Sequence, residues 1–363
     1  MSYKKIKPLR ALFIGFGHVG QQIARILTRE RDNFPGLASL DLKTIAIIGR
    51  SKGNLVNEKE GVDLRKALDE VEEMKTFSSS NPDRRDISAL EAARSLDYDV
   101  LIELSNLSSE NRGEPAISHI RSALERGRHA ITANKGPVAF AYSELKGLAE
   151  KMETSLLYET TVMDGAPVFN MARCCLKGCT VKGIEGILNS TTNFVLSRME
   201  EGQCMDDAVK EAQRIGIAEA DPNYDLEGWD SSAKISILAN ALMGASISPF
   251  HVDRKGIAGL STEDVEKTLN SGKRLKLICK AWLAGKDVRA SVKLEEIPSR
   301  HHFNLVMGSG SVITIETDLM GPIVLTQQNP TLYDTAYGVL SDLMTLSSTM
   351  ETGVQTDSIN SLL

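Results

Sequence analysis

The spacing of hydrophobic residues changes along the chain, and with it the element predicted. Leu9–Ile14 (L-R-A-L-F-I), Lys43–Ile48 (K-T-I-A-I-I), Tyr98–Leu104 (Y-D-V-L-I-E-L) and His129–Thr132 are short, mostly apolar runs of the kind that form strands buried on both faces. Gln21–Arg29, Arg112–Arg126 and Ser143–Glu153 lie among and after them, with apolar residues at helical spacing. That alternation predicts a parallel sheet with crossover helices. Leu156–Thr161 reads as one more strand. Beyond about residue 162 the pattern changes. Gly183–Leu188 is a predicted strand, Asn193–Glu200 and Met205–Ile215 are predicted helices, and Ala233, Ile235, Leu238, Ala239 and Leu242 mark a third helix from Ser231 onward. Arg289–Glu296, Ser311–Thr317 and Ile323–Thr326 alternate as antiparallel strands do, and Asp334–Leu346 is a last helix. The fold class is α/β, a doubly wound parallel sheet followed by an α+β portion.

The first strand runs into Gly15-Phe16-Gly17-His18-Val19-Gly20 and then a helix. Glycines at this spacing permit a tight turn, close approach of the backbone to a pyrophosphate, and close helix–strand packing. The strand–helix setting makes this a dinucleotide-binding loop. The second strand ends in Gly49-Arg50-Ser51-Lys52, with no carboxylate for ribose hydroxyls. Arg50 and Lys52 suit a 2′-phosphate, which favours NADP over NAD; a basic turn in solvent is the alternative. Ser105-Asn106 and Ala133-Asn134-Lys135-Gly136-Pro137 follow strand ends that border such a cofactor crevice. Lys135 either reaches that crevice or is a solvated turn lysine.

The densest chemistry lies in Ala218–Lys234, A-E-A-D-P-N-Y-D-L-E-G-W-D-S-S-A-K, which carries Glu219, Asp221, Asp225, Glu227, Asp230 and Lys234. Asp221-Pro222-Asn223 and Gly228 are turn residues, and Asp230 is the expected N-cap of the helix that presents Lys234. Asp230 and Lys234 share a helix face; alone, such a pair is common and worth about 0.2–0.5 kcal/mol. Asn189-Ser190-Thr191-Thr192-Asn193 offers hydroxyl and backbone donors for a carboxylate.

The 363 residues suffice for about two domains, and 42% hydrophobic with 25% charged residues is a globular composition. A net charge of −6 argues against a nucleic-acid partner. No stretch is long and apolar enough to read as a membrane span or signal peptide, so the expected compartment is the cytoplasm. Cys174, Cys175, Cys179, Cys204 and Cys279 lack zinc spacing and read as buried or inert thiols.

Four stretches together resemble the homoserine dehydrogenase family: G-F-G-H-V-G, T-A-N-K-G-P-V-A at Thr132–Ala139, G-I-L-N-S-T-T-N-F at Gly186–Phe194, and the Ala218–Lys234 run. The resemblance spans nearly the whole chain. It implies an N-terminal Rossmann domain (residues 1–155), an α+β catalytic and dimerisation domain (156–328), and a C-terminal helix (329–363) returning to the first domain, with no regulatory domain. It implies NAD- or NADP-dependent interconversion of L-aspartate 4-semialdehyde and L-homoserine, in threonine, methionine and isoleucine biosynthesis, by a homodimer. By resemblance Lys234 is the proton donor, Lys135 positions substrate near the nicotinamide, and Asp230 orients substrate or water. Glu219 and Asp225 bind the substrate ammonium, and Ser190 and Thr191 face its carboxylate. Asp221 and Glu227 are expected in structural salt bridges. A monovalent cation is expected at Glu159 with carbonyls of Val162, Asp164 and Ala166. A lysine serves as acid or base where burial or a second cation favours its neutral form.

The sequence departs from the family at Met163-Asp164, where glycines are usual, at Ser190, and at Gln327-Gln328-Asn329-Pro330. Met and Asp resist backbone conformations that glycine adopts, which sets the cation loop apart. The departures leave two rival readings, a dehydrogenase for another hydroxy-amino acid and a nucleotide-binding sensor without turnover.

Overall fold

The computed structural model describes residues 7–108 and 110–352. The described residues fall into two compact units, one built from residues up to 173 together with those from 331, the other from residues 174–330.

The first unit holds a six-stranded sheet. Its strands are β1 (Leu9–Ile14), β2 (Leu42–Gly49), β3 (Gly53–Val56), β4 (Val100–Glu103), β5 (His129–Thr132) and β6 (Leu156–Leu157), in the spatial order β3-β2-β1-β4-β5-β6. All neighbours are parallel except β2 and β3, an antiparallel hairpin turning between Gly49 and Gly53. Phe13, Ile47 and Ile102 on the strands are buried with Ile23 of helix His18–Thr28 and Leu68 of helix Leu64–Met74. Val339, Leu340, Leu343 and Leu346 of helix Leu332–Thr352 join that same core. The C-terminal helix therefore belongs to this unit. Truncating any one of these leucines to alanine costs about 2–5 kcal/mol.

Three expected bounds change. The strand expected over residues 156–161 stops at Leu157, because Glu159–Thr161 closes into a 3₁₀ turn. The unit boundary accordingly falls after residue 173 and not at 155, since β6 pairs with β5. The helix expected from Arg112 begins at Ala116, because Arg112 and Gly113 both take positive φ (49° and 88°).

The second unit carries β7 (Val181–Ile187), β8 (Asp253–Arg254), β9 (Lys273–Ala284), β10 (Asp287–Pro298), β11 (Ser311–Thr317) and β12 (Ile323–Gln327), ordered β12-β11-β7-β9-β10-β8. All pairs are antiparallel except β8 with β10. Helix Trp229–Met243 is buried almost throughout, with Ala233, Ile235, Ile237, Leu238 and Ala239 all fully enclosed. No described helix is long and apolar enough to cross a membrane.

Candidate active site

In the first unit the glycine loop has the geometry its spacing demands. Gly15 sits at φ +101°, and a Cβ there would lie 2.7 Å from the carbonyl carbon and oxygen of Leu104. Gly17 faces open space and precedes helix His18–Thr28, whose N-terminus carries no side-chain cap. The first backbone N–H groups of that helix have no intrahelical acceptor, which suits a pyrophosphate. His18 is exposed, Phe16 is buried, Val19 is half-buried, and Gly20 would place a Cβ 3.2 Å from Gly15 O.

At the end of β2, Gly49 N–H donates to Asn54 Oδ1 (3.1 Å), and the turn from Gly49 to Gly53 carries no carboxylate. Arg50 is exposed. Lys52 is half-buried, and its ammonium donates to the carbonyl of Lys75 (2.9 Å), which leaves Arg50 the better placed cation.

Ser105 and Asn106 meet Asn134. Asn134 Nδ2 donates to Ser105 Oγ (3.2 Å) and to Asn106 O (3.3 Å), while its Oδ1 accepts from Gly136 N–H (2.8 Å). Asn134 is thus the N-cap of helix Lys135–Lys151, and Lys135 is its first residue, not part of a turn. Gly136-Pro137 is compatible with a helix here because the first turn needs no N–H from proline.

The expected cation ligands also lie in this unit. Glu159 is buried, and both its oxygens accept backbone N–H groups at the start of helix Val168–Cys175, from Phe169 (2.8 Å) and Asn170 (2.7 Å). Burial pushes its carboxyl up to about 7 against those bonds. Asp342, also buried, accepts Glu159 N–H (2.9 Å), and burial with Glu159 beside it holds it well above the usual range. Ala166 O accepts Val168 N–H (2.8 Å), and a Cβ on Gly338 would lie 2.9 Å from Asp164 O. Val162 is buried. These contacts make Glu159 a helix cap and give the Ala166 carbonyl an internal donor, so two of the four expected cation ligands are already engaged within the chain. The loop nonetheless follows a glycine-like path: Asp164 takes φ +48° and accepts Thr335 Oγ1 (2.9 Å). Asp tolerates that region better than most side chains.

In the second unit the polar group forms around Asn189. Asn189 Nδ2 donates to Asp225 Oδ1 (2.7 Å) and to Asp230 Oδ2 (2.9 Å). Its Oδ1 accepts Thr192 N–H (2.8 Å), capping helix Ser190–Glu200. Lys234 Nζ donates to Leu188 O (2.6 Å) and pairs with Asp230 Oδ2 (3.2 Å), and its side chain is only 14% exposed. Burial, then Asp230, raises Asp225, while hydrogen bonds from Thr191 and Asn189 and the charge of Lys234 act against that rise. Ser190 is half-buried at the helix start; Thr191 is buried, its one hydroxyl hydrogen shared between Asp225 and Ile217 O (3.3 Å).

Several expected features change here. Asp230 is not the N-cap: Gly228, at φ +82°, precedes the helix, which starts at Trp229 and so turns Asp230 inward in its first turn. Glu219 is exposed and takes no part in the hydrogen bonds joining the other three; its carbonyl accepts from Gln213 (3.2 Å). Asp221 accepts Asn223 N–H (3.1 Å) and Glu227 accepts Trp229 Nε1 (3.2 Å), neutral donors in place of salt bridges. Cys174, Cys175 and Cys204 are exposed, and only Cys279 is buried.

One residue had no signal in the sequence. Lys276 on β9 is fully buried and donates to Asn193 Oδ1 (2.9 Å) and Val306 O (2.8 Å). Burial lowers it to about 8. Asn193 Nδ2 in turn donates to Gly308 O (2.9 Å) and Gly310 O (3.2 Å), so the pair fastens the loop before β11. Cys279 lies beneath the Lys234 group, its thiol pushed up to about 12 by burial.

Comparison with known proteins shows the family. Residues 15–159 match the family model described as homoserine dehydrogenase, NAD binding domain, and residues 167–344 match the homoserine dehydrogenase model. The chain is 34% identical over 334 residues to an NAD(+)-dependent homoserine dehydrogenase of Pseudomonas canavaninivorans, covering 91% of this chain and 94% of that protein. A crystal structure of a putative homoserine dehydrogenase from Archaeoglobus fulgidus superposes with a TM-score of 0.81 at 33% identity, covering 93% of this chain and 99% of the other. A hyperthermophilic archaeal homoserine dehydrogenase in complex with NADPH superposes with a TM-score of 0.79 at 27% identity, covering 94% and 98%. With its glycine loop, its Asn134–Lys135 helix start and its Asn189–Asp225–Asp230–Lys234 group, the chain belongs to the homoserine dehydrogenase family.

Proposed function

We propose that this chain interconverts L-homoserine and L-aspartate 4-semialdehyde with NADP or NAD, as a step of threonine, methionine and isoleucine biosynthesis. The observation that carries this reading is the Lys234 ammonium, fixed on Leu188 O and Asp230 in a group that joins buried Asn189 and Asp230 to half-buried Asp225. The nicotinamide, when bound, takes or gives the hydride. The chain must then handle the proton of the substrate hydroxyl. Lys234 has three N–H donors and spends two on Leu188 and Asp230, which leaves one for the substrate oxygen. Asp230 holds that ammonium in place. A substrate ammonium beside Asp225 would relieve the burial and like-charge repulsion that raise its carboxyl. Ser190 and Thr191, at a helix N-terminus, suit the substrate carboxylate. Lys135 is assigned the substrate near the nicotinamide. The role of Glu219 rests on family resemblance alone.

Gly15–Gly20, Ser105 and Asn106 are proposed to hold the dinucleotide, with the first unit as the nucleotide domain and the second as the catalytic and dimerisation domain. Arg50, with no acidic residue at the β2 end, supports NADP over NAD. Homodimer formation is supported by exposed apolar residues of the second unit, Trp282, Leu319, Met320 and Val324. The cytoplasm is the proposed compartment. Ser190 in the substrate turn favours a second reading, a related dehydrogenase for another hydroxy-amino acid. Initial rates with L-homoserine, other hydroxy-amino acids, and NADP or NAD in parallel test the proposal. Turnover confined to L-homoserine supports it, whereas preference for another hydroxy-amino acid moves the assignment to the second reading.

A further inference from the structure

Glu103 is the last residue of β4 and is fully buried. A carboxylate in such a place needs partners for both oxygens. Oε1 accepts the backbone N–H of Ser105 (2.8 Å), and Oε2 meets Nδ1 of His119 (2.7 Å), itself buried on helix Ala116–Glu125. A ring nitrogen facing a carboxylate must be the one that carries hydrogen, so His119 donates from Nδ1. The Glu103 main chain is held as well: its carbonyl accepts Ala133 N–H (3.0 Å), just ahead of Asn134.

The network continues from this pair in two directions. Ser105 Oγ and Asn106 O receive the Asn134 amide, and Asn134 Oδ1 receives Gly136 N–H, so Lys135 is pinned on both sides. Asn134 also exchanges hydrogen bonds with Thr132 Oγ1, both at 3.0 Å. In the other direction, Gly15 gives up its side chain to the same turn: a Cβ there would stand 2.9 Å from Ser105 N. One carboxylate thus sets the turn that abuts the dinucleotide loop and braces the start of the lysine helix.

We infer that Glu103 and His119 are a positioning pair, setting the Ser105–Asn106 turn for the nucleotide and, through Asn134, the backbone of Lys135. This role rests on the dehydrogenase reading of Lys135. Neither side chain is assigned contact with substrate. The variants Glu103→Gln and Glu103→Leu separate positioning from bulk stability. Glutamine has one oxygen for Ser105, and its amide N–H can donate to His119 if the ring moves its hydrogen to Nε2. Leucine can do neither.

The experiment combines kcat and KM for L-homoserine, NADPH affinity by fluorescence titration, and ¹⁵N NMR of the His119 ring. The wild-type ring should carry hydrogen on Nδ1, and E103Q should move it to Nε2. E103L should bind NADPH more weakly and lose kcat by up to about a hundredfold, the scale of a 1 Å misplacement, with KM for homoserine little changed. E103Q should recover most of that loss. Folded E103L with wild-type kcat and NADPH affinity would overturn the pair's role, as would a wild-type ring with hydrogen on Nε2 and none on Nδ1. Absence of homoserine turnover in the wild type would instead count against the proposed reaction. The ring tautomer and the NADPH affinities would then still decide for or against the pair.

Discussion

Replacing Asn189 with alanine isolates what holds the Lys234 group together. Asn189 is buried, caps helix Ser190–Glu200 through Thr192 N–H, and divides its amide hydrogens between Asp225 and Asp230. Loss of an N-cap costs about 1 kcal/mol. Each carboxylate that loses a buried donor costs about 1–3 kcal/mol more. The two losses share a site and will not simply add, so a deficit on the order of 3–5 kcal/mol is expected at pH 8. The pH dependence is the sharper test. Burial and Asp230 already raise Asp225 in the wild type, and Asn189 is one of the groups opposing that rise. Without Asn189 the folded Asp225 holds its proton to still higher pH. A carboxyl raised in the folded state stabilises at low pH, and that stabilisation is lost as pH rises from its unfolded towards its folded value. Urea unfolding of Asn189→Ala and wild type between pH 5 and pH 8 should therefore show the deficit shrinking on acidification, by at most about 1.4 kcal/mol per pH unit. A deficit that is the same at both ends of the range, or below about 1 kcal/mol throughout, would refute the view that Asn189 separates the carboxylates of Asp225 and Asp230.

Arg50→Glu should weaken NADP relative to NAD by at least about tenfold in kcat/KM, the scale of one lost charge-assisted contact to a phosphate; an unchanged cofactor ratio would remove Arg50 from nucleotide selection. Glu159, raised to about 7 by burial, lowers stability as pH climbs from its ordinary 4.5 to that value. Glu159→Gln should flatten that part of the stability–pH curve in thermal unfolding, and Asp342, relieved of the neighbouring carboxylate, should be raised less. Lys276→Met should cost on the order of 3 kcal/mol in urea unfolding, because Val306 O and Asn193 Oδ1 lose a buried charged donor, while a cost near zero would mean that the loop is held by Asn193 alone.

Motifs whose chemistry depends on local spacing were legible in the sequence. Glycine at 15 and 17, asparagine at 134 and 189, and lysine at 234 all stand in the elements their spacing implied. What was missed depends on tertiary context. Gly136-Pro137 looks like a helix break, yet a first turn accepts both, so Lys135 begins a helix. Gly228 in a left-handed conformation starts the Lys234 helix ahead of Asp230, and a sequence cannot show which of two neighbouring cap residues the surrounding packing selects. The run L-K-L-I-C-K-A-W in β9 has no period that separates strand from buried helix, and only its pairing with β10 decides it. Glu103 shows how little a sequence says about a buried carboxylate: its partner lies sixteen residues away on another element. Glu219, equal to its neighbours in the acidic run, is left outside because the chain turns inward only after Pro222.

The central claim is that Lys234 handles the hydroxyl proton of homoserine, and L-homoserine oxidation by wild type and Lys234→Ala, each checked for NADPH binding, tests it most directly. The account predicts wild-type turnover with L-homoserine. It also predicts a fall in kcat on the order of 10²–10⁴-fold in Lys234→Ala, the range of a lost acid–base group, with nucleotide affinity retained. Homoserine oxidation in Lys234→Ala at the wild-type rate would contradict it.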